Sequence, residues 1–136
     1  MQYRKHPERF LRHLISAPFI YTMFFPLIIL DIFIEAYKQV CFRLYGIQLV
    51  KRRDYIRIDG HKLSYLNLLE KINCAYCGYA NGLLNYAAAI AGDTEKYWCG
   101  IKHKKYNGFK EPKHHRDFLK YGDKQAFKGK FGAPKK

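Results

Sequence analysis

Cys74, Cys77, Cys99 and His103 are the residues whose types and spacing point most directly to chemistry, because together they read C-x2-C-x21-C-x3-H. Three thiolates and one imidazole make a complete tetrahedral set for a structural Zn2+ ion. In the run Asn73-Cys74-Ala75-Tyr76-Cys77-Gly78, a tight turn would aim two sulfurs at one point, with Gly78 supplying a left-handed backbone. Cys99 and His103 stand four residues apart, so one helical turn would present both to the same ion. The same donors can hold a single iron or a [2Fe–2S] cluster, which makes iron the alternative cofactor. No carboxylate or hydroxyl belongs to the pattern, so it names no catalytic residue. Two plainer readings exist. One is a Cys74–Cys77 redox disulfide, although the βαβ surroundings of thioredoxin-like folds are missing; the other is a set of buried free thiols. His114-His115 beside Asp117 is a weaker acid–base or metal pair, most simply exposed.

The elements needed to position these ligands are mainly helical. Leu63, Leu66, Leu69 and Ile72 recur at helical spacing behind a capping Ser64, predicting a short helix that runs into the first cysteine pair. Leu83, Ala87, Ile90 and Tyr97 supply a second apolar face, interrupted at Gly92 and restarted by Asp93. Upstream, Tyr55-Ile56-Arg57-Ile58 alternates like a strand and ends in an Asp59-Gly60 turn.

A membrane segment precedes all of this. Leu14 to Leu30 contains no charged residue, and apolar character continues past Asp31 and Glu35 to Tyr37. Seventeen helical residues rise about 26 Å, against about 30 Å of bilayer hydrocarbon. A signal peptide would need a small-residue cleavage site, which does not follow. A buried soluble helix would need more apolar partner surface than the later, polar residues offer. Both flanks are basic, Arg4, Lys5, Arg9 and Arg12 before and Lys51, Arg52 and Arg53 after, so the positive-inside rule gives a single span no orientation. A re-entrant helix broken at Pro18 or Pro26 would leave both basic ends cytoplasmic; a kinked single span is the equal alternative. Residues 36–50 read as an interfacial continuation, where Cys41 is a buried or lipid-facing thiol and, less simply, a palmitoylation site. Reducing conditions on the cytoplasmic side would keep the cysteines available as ligands.

The 136 residues carry a formal charge of +14, and residues 100–136 alone contribute +9. With 49% hydrophobic and 17% aromatic residues, the chain is not a disordered basic tail throughout. Tyr106, Phe109, Phe118, Tyr121, Phe127 and Phe131 alternate with lysines in the tail. Such a mixture suits an anionic lipid surface, and less so single-stranded nucleic acid once the chain is tethered. The organisation expected is a basic arm, membrane helix and interfacial segment over 1–50, a cytoplasmic metal module over 51–105, and a loop-rich basic tail over 106–136.

Asn73 to Gly82, with Tyr97-Trp98-Cys99-Gly100-Ile101-Lys102-His103 and Arg53 to Asp59, resembles a group of small bacterial membrane-associated proteins carrying a CxxC…CxxxH motif. The resemblance implies a bacterial membrane setting and no reaction. The expected function is a membrane-anchored zinc protein acting as a binding or scaffolding module at the cytoplasmic face of the inner membrane, with anionic lipid and a membrane protein as partners. The alternatives are an iron electron-transfer protein and a membrane-tethered nucleic-acid binder. An enzyme working on a lipid-linked substrate beside Asp31 and Glu35 is more remote.

Overall fold

The computed structural model describes residues 5–132, so Arg4 of the basic arm and the last four residues of the tail lie outside the described residues. The described residues are mainly helical and contain no strand; the strand expected over Tyr55–Ile58 is not formed. The chain divides into two compact units, Met1–Ala87 and Ala88–Lys136.

The first unit begins with one long apolar helical run, Pro7–Tyr45, long and apolar enough to cross a membrane. It comprises α1 (Phe10–Thr22), α2 (Phe24–Tyr37), a π-type widening at Lys38–Phe42 and α3 (Arg43–Tyr45), and ends on Gly46 at φ 69°. Pro18 and Pro26 do not open it into a hairpin. Pro26 falls in the first turn of α2, where its missing N–H costs little, and the disturbance is confined to a turn at Met23.

Helix α4 (Leu68–Trp98) starts later than the leucine spacing suggests, and Ser64 does not cap it. Asn67 and Glu70 form the cap instead: Asn67 Oδ1 accepts from Glu70 N at 2.9 Å, and Glu70 Oε2 accepts from Asn67 N at 3.1 Å. Within the first unit α4 runs parallel to the long helix. Tyr76 donates to the Ile20 carbonyl at 2.8 Å, Tyr79 to Asp31 at 2.9 Å and Tyr86 to Glu35 at 2.8 Å. The connection returns as an extended strap across a groove of small residues. A Cβ on Gly78 would stand 2.6 Å from the Arg57 carbonyl oxygen, and one on Gly82 would stand 2.7 Å from that of Tyr55. These glycines are there for close approach, not for a turn. Phe42, Leu83 and Tyr86 are fully buried at the centre of the unit.

In the second unit α4 continues without a break through Gly92, where the His114 ring lies 3.0 Å from the position a Cβ would take. Gly100, at φ 60°, ends the helix and turns the chain back. Ile101 then pairs with Leu119 in an isolated parallel bridge, with Leu119 N bonded to the Gly100 carbonyl and Lys102 N to that of Leu119, both at 2.8 Å. A short helix, α5 (Lys124–Phe131), is capped by Asp123.

Candidate metal centre

The turn at Gly100 brings three stretches of chain to one place. Glu95 lies on the last turn of α4, His103 follows the bridge, and His114-His115 lie in the 3-10 segment Lys113–Asp117. Bridge pairing of residues 100–102 with Leu119 fixes how far each histidine stands from α4.

Glu95, His103 and His115 each point one donor atom into a space no more than 4.8 Å across. Glu95 Oε1 lies 3.0 Å from His115 Nε2 and 3.6 Å from His103 Nε2. Ligands bonded at zinc–nitrogen lengths around a tetrahedral ion stand about 3.3 Å apart, so the two carboxylate–imidazole separations bracket that value, and all three donors lie within 4.8 Å of one another. His114 Nε2 meets the other carboxylate oxygen at 2.7 Å and so fixes the orientation of the carboxylate. His115 is 1% exposed and stacks on Phe118 with ring centroids 4.7 Å apart. Its Nδ1 is buried without a hydrogen-bond partner among the described residues. The His114 bond, followed by His115, holds the Glu95 carboxyl below the usual carboxylate range and keeps it anionic.

Cys74, Cys77 and Cys99 do not belong to this group. Cys74 and Cys77 both lie within α4, so the tight turn expected there is helix, and Gly78 has no left-handed backbone. Cys74 is half-buried with its sulfur 2.5 Å from where a Gly60 Cβ would be, and Cys77 is exposed. Cys99 is exposed just beyond the helix end, so it and His103 do not share a helical turn. All four cysteines, Cys41 included, are free thiols. His103 is the one expected ligand found in the convergent group. His114-His115 face Glu95 instead of Asp117. In the sequence Glu95 carries no motif, because a lone glutamate in a charged stretch reads as a solvated face. Its signal was position, one turn ahead of the glycine that reverses the chain.

Asp31 and Glu35, the carboxylates of the remote enzymatic reading, are engaged inside the first unit. Asp31 accepts both guanidinium nitrogens of Arg52 and the Tyr79 hydroxyl. Glu35 accepts Lys38 Nζ at 2.7 Å, Gln39 Nε2 at 2.8 Å and the Tyr86 hydroxyl. These bonds occupy them structurally. No protein-family model, no curated protein and no solved structure matches the chain.

Proposed function

We propose that this chain is a membrane-anchored metal-binding protein, in which Glu95, His103 and His115 hold one divalent ion, Zn2+ in the first instance. The observation that carries this reading is the convergence of a carboxylate and two imidazoles, one of them fully buried, within 4.8 Å. The ion's role is structural. The second unit, Ala88–Lys136, has Ile90 and Phe118 as its buried large apolar residues. A unit of that size needs a staple that its core does not supply. An ion bound by residues from α4, the segment after the Ile101 bridge and the 3-10 segment would tie all three together.

The donor set also bears on the metal. Nitrogen and oxygen ligands suit zinc or a single ferrous ion, whereas a [2Fe–2S] cluster needs the thiolates. The anchor is the apolar run Pro7–Tyr45. On the resemblance of the sequence, the membrane is a bacterial inner membrane with the metal unit on its cytoplasmic face. There the chain serves as a binding or scaffolding module for a membrane protein. In the basic tail, α5 exposes Phe127 and Phe131 among lysines, which suits anionic lipid ahead of nucleic acid.

The test is metal analysis of full-length protein purified in detergent under reducing conditions. About one equivalent of zinc is expected, lost in Glu95→Ala and His115→Ala and retained when Cys74, Cys77 and Cys99 are all changed to serine. Loss with the cysteines and retention without Glu95 would return the site to Cys74, Cys77, Cys99 and His103, because His103 belongs to both sets.

A further inference from the structure

The long apolar helix has two faces, and they are the reverse of those of a soluble helix. Leu27, Asp31, Glu35, Lys38 and Phe42 face the rest of the first unit, so the three charged side chains in the middle of the run, Asp31, Glu35 and Lys38, are turned inward and paired. Phe25, Ile29, Ile32, Phe33, Val40 and Leu44 follow one another at helical spacing on the outside, with Phe33 70% and Leu44 76% exposed. A stripe of this length facing water marks an interaction surface. Charge inside and hydrocarbon outside is the arrangement that lipid, not water, stabilises.

We infer that this helix lies in the plane of the membrane surface, with its outward stripe sunk into the leaflet, and does not cross the bilayer. The inference rests on the membrane-anchored reading and adds the seating. Its ground is what stands beside the middle of the apolar run. Tyr21 donates to Asn73, and Tyr76 donates to the Ile20 carbonyl at 2.8 Å, so the start of α4 is level with the centre of Leu14–Leu30. Close to that start lie the half-buried Lys71 and the exposed Asp59, His61 and Lys62 of the strap, which reaches Cys74 at Gly60. A helix perpendicular to the membrane would carry all of these to the depth of the hydrocarbon, an expensive place for charge. Lying flat, it keeps them on the face opposite the stripe, where they reach water.

Length and charge agree with this seating. Pro7–Tyr45 spans 39 residues, and its helical rise is about 58 Å, nearly twice the hydrocarbon thickness. Arg9 and Arg12 at one end and Arg43, Lys51 and Arg53 at the other are exposed, so one anionic leaflet meets both ends. The basic flanks that give a single span no orientation are what a flat helix requires.

The probe is a preformed vesicle of phosphatidylglycerol and phosphatidylethanolamine, bound by full-length protein carrying a nitroxide on one cysteine at Phe19, Ile29, Phe33 or Val40, with the native cysteines changed to serine. Depth measured by power saturation should be shallow and alike at all four sites, about 5–10 Å below the phosphates. A progressive change approaching 1.5 Å per residue between Phe19 and Val40 would overturn the flat seating. Depth greatest near the Met23 turn and shallower towards Val40, as a re-entrant helix gives, would overturn it too. Tags at both ends of the otherwise unmodified chain should be digested completely by protease added outside, and protection of the N-terminal tag would contradict the inference independently of the labels. Absence of vesicle flotation would remove the membrane reading itself, whereas flotation with a depth gradient would remove the seating alone.

Discussion

In the first unit, Asp31 and Glu35 turn inward to Arg52, Lys38 and two tyrosines, while phenylalanines and isoleucines of the same helix stand outside. In the second unit the apolar residues Ile90 and Phe118 are inside, and Glu95 gathers three histidines at one edge. One unit spends its ionisable groups on closing a polar seam within an apolar shell; the other leaves them converged with donor atoms to offer. A paired carboxylate is therefore informative through its partners. Cationic and phenolic partners complete a structural bond network, whereas several imidazoles on one carboxylate leave unshared ligand capacity.

The largest effect expected from breaking this contrast is on membrane partition. Changing Phe25, Ile29 and Phe33 together to aspartate places three carboxylates on the lipid side. At up to about 2.5–3.5 kcal/mol each at full depth, even shallow burial should lower vesicle binding more than tenfold. Flotation checks this, and unchanged binding would mean that the stripe does not face lipid.

Next in size is the inward seam. Glu35→Ala strands Lys38, which is 5% exposed, without its carboxylate. Loss of one partner of a buried pair costs about 3–5 kcal/mol, and the partial exposure of Glu35 reduces this to about 2 kcal/mol. A fall in the detergent-solubilised melting temperature is expected, with less effect from Tyr86→Phe.

Gly78→Ala tests the strap. Alanine favours the helix by about 1 kcal/mol, but its Cβ would meet the Arg57 carbonyl oxygen at 2.6 Å, and overpacking against backbone costs about 1–3 kcal/mol. The net change should be a modest loss of stability, measured by thermal unfolding, where an unopposed helix would gain.

The smallest effect lies at Glu111, whose carboxyl Lys102 holds below its ordinary value through a 2.6 Å ion pair, aided by Lys105. Because the folded-state value is lowered, its stabilisation is complete above the ordinary carboxylate pKa and is lost as pH falls through the folded value. Glu111→Gln should thus lower the unfolding temperature slightly at neutral pH, with the difference vanishing in acid.

Composition and periodicity made the helical class and the apolar N-terminal helix legible. The parts that were not legible depend on tertiary approach. Gly92 looked like a helix stop, yet it is glycine because the His114 ring crosses the helix there. Tyr55–Ile58 alternates like a strand, but it lies on the glycines of α4, with no partner strand among the described residues to complete a ladder. Gly78 beside two cysteines looked like a knuckle turn and instead admits the strap. At the candidate site, the sequence marks His103 as a ligand and His114-His115 as a weaker pair. Their meeting on Glu95 depends on the Ile101–Leu119 bridge, which joins residues far apart in a stretch without periodicity.

X-ray absorption at the zinc edge of the full-length, zinc-loaded protein is the most direct test of the ligand assignment. Coordination by Glu95, His103 and His115 predicts a first shell of nitrogen and oxygen alone at about 2.0–2.2 Å. A shell of three sulfurs at about 2.3 Å with one nitrogen would contradict it and place the ion on Cys74, Cys77, Cys99 and His103.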